Sequence, residues 1–87
     1  MAATDDDWRL MGQERYLLGA VFHRTQYRAP RPEWDHDHCE FCFAKFMEGA
    51  LPDTLQEGYS TDDRRWVCPT CFEDLRERFQ FSTREPA

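Results

Sequence analysis

Four cysteines are the residues of this chain with the clearest chemistry, and they form two pairs of equal spacing. Cys39 and Cys42 make one pair, Cys68 and Cys71 make the other, and no further cysteine occurs in the 87 residues. Two Cys-x-x-Cys pairs are typical of a structural zinc site, in which four thiolates surround the ion and leave no open coordination position. We therefore predict a Zn²⁺ ion bound by these four side chains and no catalytic residue among them.

Three other interpretations of the cysteines fit the sequence less well. The Cys68-Pro69-Thr70-Cys71 turn is similar to an oxidoreductase motif, but the parallel βαβ unit of such proteins is missing. His38 and Glu40 fit the His-x-Glu of a zinc deaminase, but Pro69 follows the first downstream cysteine, whereas that motif places it before. Four unligated core cysteines would not be expected to pair so evenly.

A second group of possible ligands, Asp35-His36-Asp37-His38, lies directly before the first pair. It resembles the metal-and-base cluster of HNH-type nucleases, so a metal-dependent hydrolase or nuclease is an alternative function. In nucleases that combine such a cluster with two Cys-x-x-Cys turns, the cluster lies between the turns, and here it precedes both. We expect His36 and His38 to hydrogen-bond a thiolate or the nearby backbone, to replace one cysteine as a ligand, or to form a weak second metal site.

The charge of the chain disfavours a nucleic-acid partner and favours a basic protein. The net charge is −6, and residues 32–87 carry six basic against thirteen acidic side chains. Four thiolates and one Zn²⁺ would together add a further −2. Such a surface repels phosphate backbones but attracts a basic surface on another protein. Zinc sensing or zinc storage remains a further alternative.

The length and the N-terminal residues indicate a small cytosolic domain. A chain of 87 residues is expected to form one domain, and a core of this size needs additional stabilisation such as a bound metal. No apolar stretch approaches the roughly 20 residues of a membrane span. Residues 1–7 are acidic and lack the order of a signal peptide, so we expect a flexible tail and a reducing cytosol, where cysteine pairs bind metal.

The remaining sequence predicts a small α+β fold. Residues 8–31 favour two antiparallel strands, and the break at 29–32 separates this sheet element from a zinc-binding module over residues 34–81. In that module we predict a short helix over 43–48, a loop over 51–58, a hairpin over 59–67 and a helix over 72–79. The order of cysteine turn, hairpin, second turn and C-terminal helix resembles a treble-clef zinc finger over residues 39–81. The apolar face of the last helix is predicted to comprise Phe72, Leu75 and Phe79.

Several strings in the chain resemble a group of small bacterial proteins that have no assigned activity. They are Trp34-Asp35-His36-Asp37-His38-Cys39-Glu40-Phe41-Cys42, Gly58-Tyr59-Ser60-Thr61-Asp62, Trp66-Val67-Cys68 and Cys71-Phe72-Glu73-Asp74. The resemblance implies a bacterial, cytosolic, metal-stabilised single domain and carries over no catalytic residue and no substrate. Because every strong signal is structural, we predict a non-enzymatic protein-interaction module, for example an immunity or adaptor protein.

Overall fold

The structure, a computed structural model, describes residues 8–49 and 51–84, so the acidic tail predicted for residues 1–7 lies outside the described residues. Along the chain the elements are α1 (Glu14–Leu17), β1 (Val21–Gln26), β2 (Asp37–His38), β3 (Lys45–Phe46), β4 (Thr54–Leu55), β5 (Glu57–Ser60), β6 (Trp66–Val67), α2 (Pro69–Phe79) and β7 (Ser82–Thr83). Strands β6, β5, β1 and β7 form one sheet in that order, and β2, β3 and β4 form a second. Both sheets are mixed, and the fold is small α+β as predicted.

The prediction of two N-terminal strands is wrong, because residues 8–31 contain a single helical turn followed by a single strand. The chain leaves α1 at Leu18, and Gly19 adopts a φ of 74°, which favours glycine. The strand β1 then pairs antiparallel with β5 and parallel with β7. The N-terminal segment is therefore the centre of the main sheet and is not a separate sheet element.

The short helix predicted for residues 43–48 is also wrong. Phe43 has a φ of 65°, which interrupts a right-handed helix. The Cys39 N–H donates to the Ala44 carbonyl at 2.8 Å and closes a turn, so that β3 pairs antiparallel with β2 and parallel with β4. The predicted loop over 51–58 accordingly contains β4 and the start of β5.

The predicted hairpin and C-terminal helix are confirmed. Strands β5 and β6 pair antiparallel with Tyr59 opposite Val67. Helix α2 begins earlier than predicted, because the Cys68 side chain accepts a hydrogen bond from the Cys71 N–H and Pro69 occupies the first turn, where its missing N–H costs nothing. Its buried face includes Phe72, Leu75 and Phe79, as predicted. Within the described part of the chain, neither helix is long and apolar enough to cross a membrane.

Two aromatic clusters pack on opposite faces of the main sheet. Successive strand residues point to opposite faces, so Val67, which lies opposite Tyr59, and its neighbour Trp66 point to different faces of the sheet. On one face, Phe72 of α2 stacks on Tyr59 with ring centroids 3.8 Å apart. On the other, Trp66 lies 5.0 Å from Phe46, which belongs to the small sheet. The main sheet is therefore covered by α2 on one side and by β2, β3 and β4 on the other.

Gly58 is required where the two sheets meet, and its substitution tests that contact. A Cβ atom at Gly58 would lie 2.6 Å from Phe46 Cε1 and 3.1 Å from the Val67 carbonyl oxygen. Phe46 is fully buried, so its ring could move aside only by displacing its neighbours. We expect Gly58→Ala to lower the free energy of unfolding by about 1–3 kcal/mol through overpacking, as measured by urea denaturation of the metal-loaded protein.

Gly49→Ala is the matched control for this prediction. Within the described residues, a Cβ at Gly49 would meet only the Met47 Cε atom at 3.8 Å, which is an ordinary contact. The control variant is expected to keep the wild-type stability. A Gly58→Ala protein as stable as the control would contradict the close packing of the two sheets.

Candidate metal centre

Two turns from different parts of the chain bring the four cysteines together. Cys39 follows β2 and Cys42 lies in the turn between β2 and β3, while Cys68 follows β6 and Cys71 lies in the first turn of α2. An isolated parallel bridge joins Cys39 to Trp66. This bridge places the first cysteine turn beside β6, the strand that leads directly into the second cysteine turn. All four side chains therefore meet at the N-terminal end of α2.

The positions of the sulfurs fit a single metal ion. The four Sγ atoms lie within 4.8 Å of one another, and the Cys42 and Cys68 sulfurs are 3.6 Å apart. A tetrahedral ion with Zn–S bonds of about 2.3 Å would separate its sulfurs by about 3.8 Å. None of the four forms a disulfide, and all except the half-buried Cys42 are buried. The predicted ligands are thus assembled in a site that can hold a metal.

Backbone N–H groups in both turns donate to the sulfurs. Cys39 Sγ accepts from the Phe41 and Cys68 N–H groups, each at 3.4 Å, and Cys68 Sγ accepts from the Cys71 N–H at 3.4 Å. Hydrogen bonds from the Cys68 and Cys71 thiols, together with the backbone N–H groups of Cys42 and Cys68, lower the pKa of Cys39. The hydrogen bonds that the Cys68 and Cys71 thiols share with the Cys39 sulfur raise the pKa of both thiols. Four thiolates packed this closely would need a cation, which a divalent metal could supply.

Arg9 also contacts the centre, which the sequence analysis did not predict. Its Nη1 atom lies 3.4 Å from Cys71 Sγ and 3.2 Å from Asp74 Oδ2. Only 11% of the Arg9 side chain is exposed. The guanidinium therefore places a positive charge beside the cysteine sulfurs. Arg9 and Cys71 are 62 positions apart, so no local spacing could have indicated the contact.

The Gln13 side chain hydrogen-bonds both to the segment that contains Arg9 and to the first cysteine turn. Its side chain is buried, and its Nε2 donates to the carbonyl oxygens of Arg9 at 2.8 Å and Glu40 at 3.1 Å. Its Oε1 accepts from the Met11 N–H at 2.6 Å. Glu40 lies between Cys39 and Cys42, so the residues preceding α1 are hydrogen-bonded to the backbone of the first cysteine turn.

The two candidate histidines lie apart from the four-cysteine group. The His36 Nδ1 and Asp35 Oδ2 atoms are 2.8 Å apart, and this hydrogen bond lowers the pKa of Asp35. The rings of His36 and His38 contact edge to face, with centroids 4.7 Å apart. Among residues 8–49 and 51–84, the four cysteines are the one group of three or more potential ligands that converges on a metal position, and it includes neither histidine.

Asp37, in the same segment, holds three donors from separate parts of the chain. Its Oδ2 accepts from Tyr27 Oη at 2.7 Å, Trp34 Nε1 at 3.0 Å and Arg64 Nη2 at 3.3 Å. Burial raises the pKa of Tyr27, and the hydrogen bond to Asp37 raises it further. The Asp37 carboxylate thus links the end of β1, the segment before β2 and the β5–β6 turn, and so holds three parts of the fold together.

The fold and the site together define a small α+β protein with a four-cysteine cluster that can hold a metal ion. Comparison with known proteins shows no relative: no protein-family model, curated protein or solved structure matches the chain significantly.

Proposed function

We propose that this protein is a zinc-binding protein–protein interaction module of the bacterial cytosol. The observation that carries the proposal is the convergence of four cysteine sulfurs within 4.8 Å. Four thiolates favour Zn²⁺ among the abundant divalent ions, and they fill all the positions of its tetrahedral shell. A closed shell offers no place for water or substrate, which supports a structural role for the ion.

The proposed module has a treble-clef-like arrangement. In support, the first cysteine pair lies in the β2–β3 hairpin, and the second lies between the β5–β6 hairpin and the first turn of α2. A bound zinc ion would join these two hairpins to the helix. The ion would thereby set the shape of the surface that the module presents.

The proposed partner is a protein with a basic surface, such as a toxin or enzyme that this chain would mask as an immunity or adaptor protein. The net charge of −6 becomes more negative by 2 when four thiolates bind one Zn²⁺. Asp62 and Asp63 contribute to this charge on the β5–β6 turn, where their side chains are 70% and 67% exposed. Exposed carboxylates of this kind steer association with a cationic surface.

Capture with the zinc-loaded protein as bait, followed by affinity measurement with the purified partner, tests this proposal. We expect a basic partner whose affinity falls with added salt and falls about tenfold in the Asp62→Asn/Asp63→Asn variant, which removes two charges. The matched control, Arg28→Gln/Arg31→Gln, removes two positive charges and should not weaken binding. Recovery of no stable partner, or equal losses in both variants, would overturn the proposal.

A further inference from the structure

The segment from Trp8 to Gln13, here called the N-terminal clasp, meets the metal centre at two points. Arg9 contacts Cys71 Sγ and Asp74 from one side, and Gln13 hydrogen-bonds the Glu40 carbonyl from the other. The first point lies at the start of α2 and the second lies in the β2–β3 turn. The clasp therefore touches both of the elements that supply the thiolates.

We infer that Arg9 is a positioning residue of the metal centre and that docking of the N-terminal clasp is coupled to metal binding. This inference rests on the zinc site of the proposed function. It assigns to the residues before α1 a part in metal affinity, in addition to the four ligands.

The charge of the centre is the first argument. Zn²⁺ with four thiolates carries a net charge of −2 in a largely buried site. The Arg9 side chain is only 11% exposed, and a buried cation requires anionic partners. Among the described residues, Asp74 supplies one such partner, and Cys71, which metal binding would hold as a thiolate, supplies another. The same ion pair therefore stabilises both the loaded centre and the docked clasp.

The hydrogen bonds of Gln13 are the second argument. Gln13 is 2% exposed, and a buried amide without partners would cost about 1–3 kcal/mol. Two of its bonds hold the clasp itself, to the Arg9 carbonyl and the Met11 N–H. The third reaches the Glu40 carbonyl, whose position depends on the turn that the metal closes. A disordered turn would remove this acceptor.

Coupling of this kind is reciprocal. If metal binding favours the docked clasp, the docked clasp must raise metal affinity by the same factor. Trp8 and Met11 are 67% and 53% exposed, so the loaded centre holds two large apolar side chains at fixed positions on the surface.

Zinc affinity of Arg9 variants, measured by competition with a chromogenic chelator, tests the inference. Arg9→Ala is expected to weaken zinc binding about 10- to 100-fold, the range found when residues that hold metal ligands are removed. Arg9→Lys keeps a cation and should recover part of the loss. The control is Arg84→Ala, which removes an exposed ion pair with Asp62 and should bind zinc like the wild type.

Hydrogen exchange on the zinc-loaded proteins supplies the second measurement. In Arg9→Ala, the amides of residues 8–17 should exchange at least about tenfold faster, as a weaker docking predicts, while those of α2 are unchanged. Zinc affinity equal to that of Arg84→Ala, or unchanged exchange over residues 8–17, would overturn the inference. If Arg9→Ala does not fold, Arg9→Lys must still bind zinc more weakly than the wild type, and equal affinity would overturn it. A wild-type chain that binds no zinc would instead overturn the proposed zinc site itself.

Discussion

Removal of the metal with a chelator is expected to unfold this protein. The site joins the β2–β3 turn to the start of α2, and three of its four sulfurs belong to buried residues. Structural zinc binding in small modules supplies about 10–16 kcal/mol, which is as large as the whole folding free energy of a typical domain, about 5–15 kcal/mol. We expect one zinc per chain and loss of the helical circular-dichroism signal when the zinc is withdrawn.

Substitution of one ligand should have the same effect as the chelator. Cys39→Ser is the sharpest case, because the Cys39 sulfur accepts hydrogen bonds from both turns. The variant is expected to lose the zinc and the cooperative unfolding transition. The control is the double variant His36→Ala/His38→Ala, which should retain one zinc and the folded signal. A native spectrum after chelation, or two zincs per wild-type chain, would contradict a single structural site.

Phe72→Ala is expected to have the second-largest effect and to lower the free energy of unfolding by about 3–5 kcal/mol. Phe72 stacks on Tyr59 and meets the edge of Phe22, with ring centroids 5.5 Å apart in the latter contact. It follows Cys71 directly in α2, so the cavity would open beside the metal centre. Denaturant unfolding of the zinc-loaded protein measures the change.

Phe43→Ala provides the matched control for this second prediction. Phe43 is 54% exposed, and loss of an exposed ring usually changes stability by no more than about 0.5 kcal/mol. Similar losses in the two variants would show that Phe72 does not support the core as the structure indicates.

The prediction of one convergent four-cysteine group came from the sequence because its cause is local. The tight turns of two Cys-x-x-Cys pairs direct their sulfurs to one cation, and the identity of the ligand atoms limits which cations fit. The C-terminal helix could be predicted equally well from the sequence, since Phe72, Leu75 and Phe79 recur at helical spacing. Its earlier start at Pro69 depends on Cys68 as the N-cap, a role that the ligand prediction did not consider.

The wrong predictions concern segments whose structure depends on distant partners. The stretch around Lys45 and Phe46 has apolar spacing suited to a short helix, yet it pairs with β2 and β4. Strand β1 lies between β5 and β7, and neither neighbour belongs to the N-terminal segment. The free energy of pairing with distant strands outweighs the intrinsic secondary-structure propensity of a short segment. The composition of that segment does not indicate which strands it will pair with.

The sequence by itself thus determined the four-cysteine group, the α+β class and the C-terminal helix, because these follow from side-chain chemistry and spacing within a few turns of chain. Only the tertiary structure decided that β1 is central to the main sheet, that Asp37 joins three segments, and that Arg9 lies against Cys71. Each of these contacts joins groups that are remote in sequence. These contacts stabilise the protein only after the chain has closed the intervening loops. No local sequence pattern can therefore predict them.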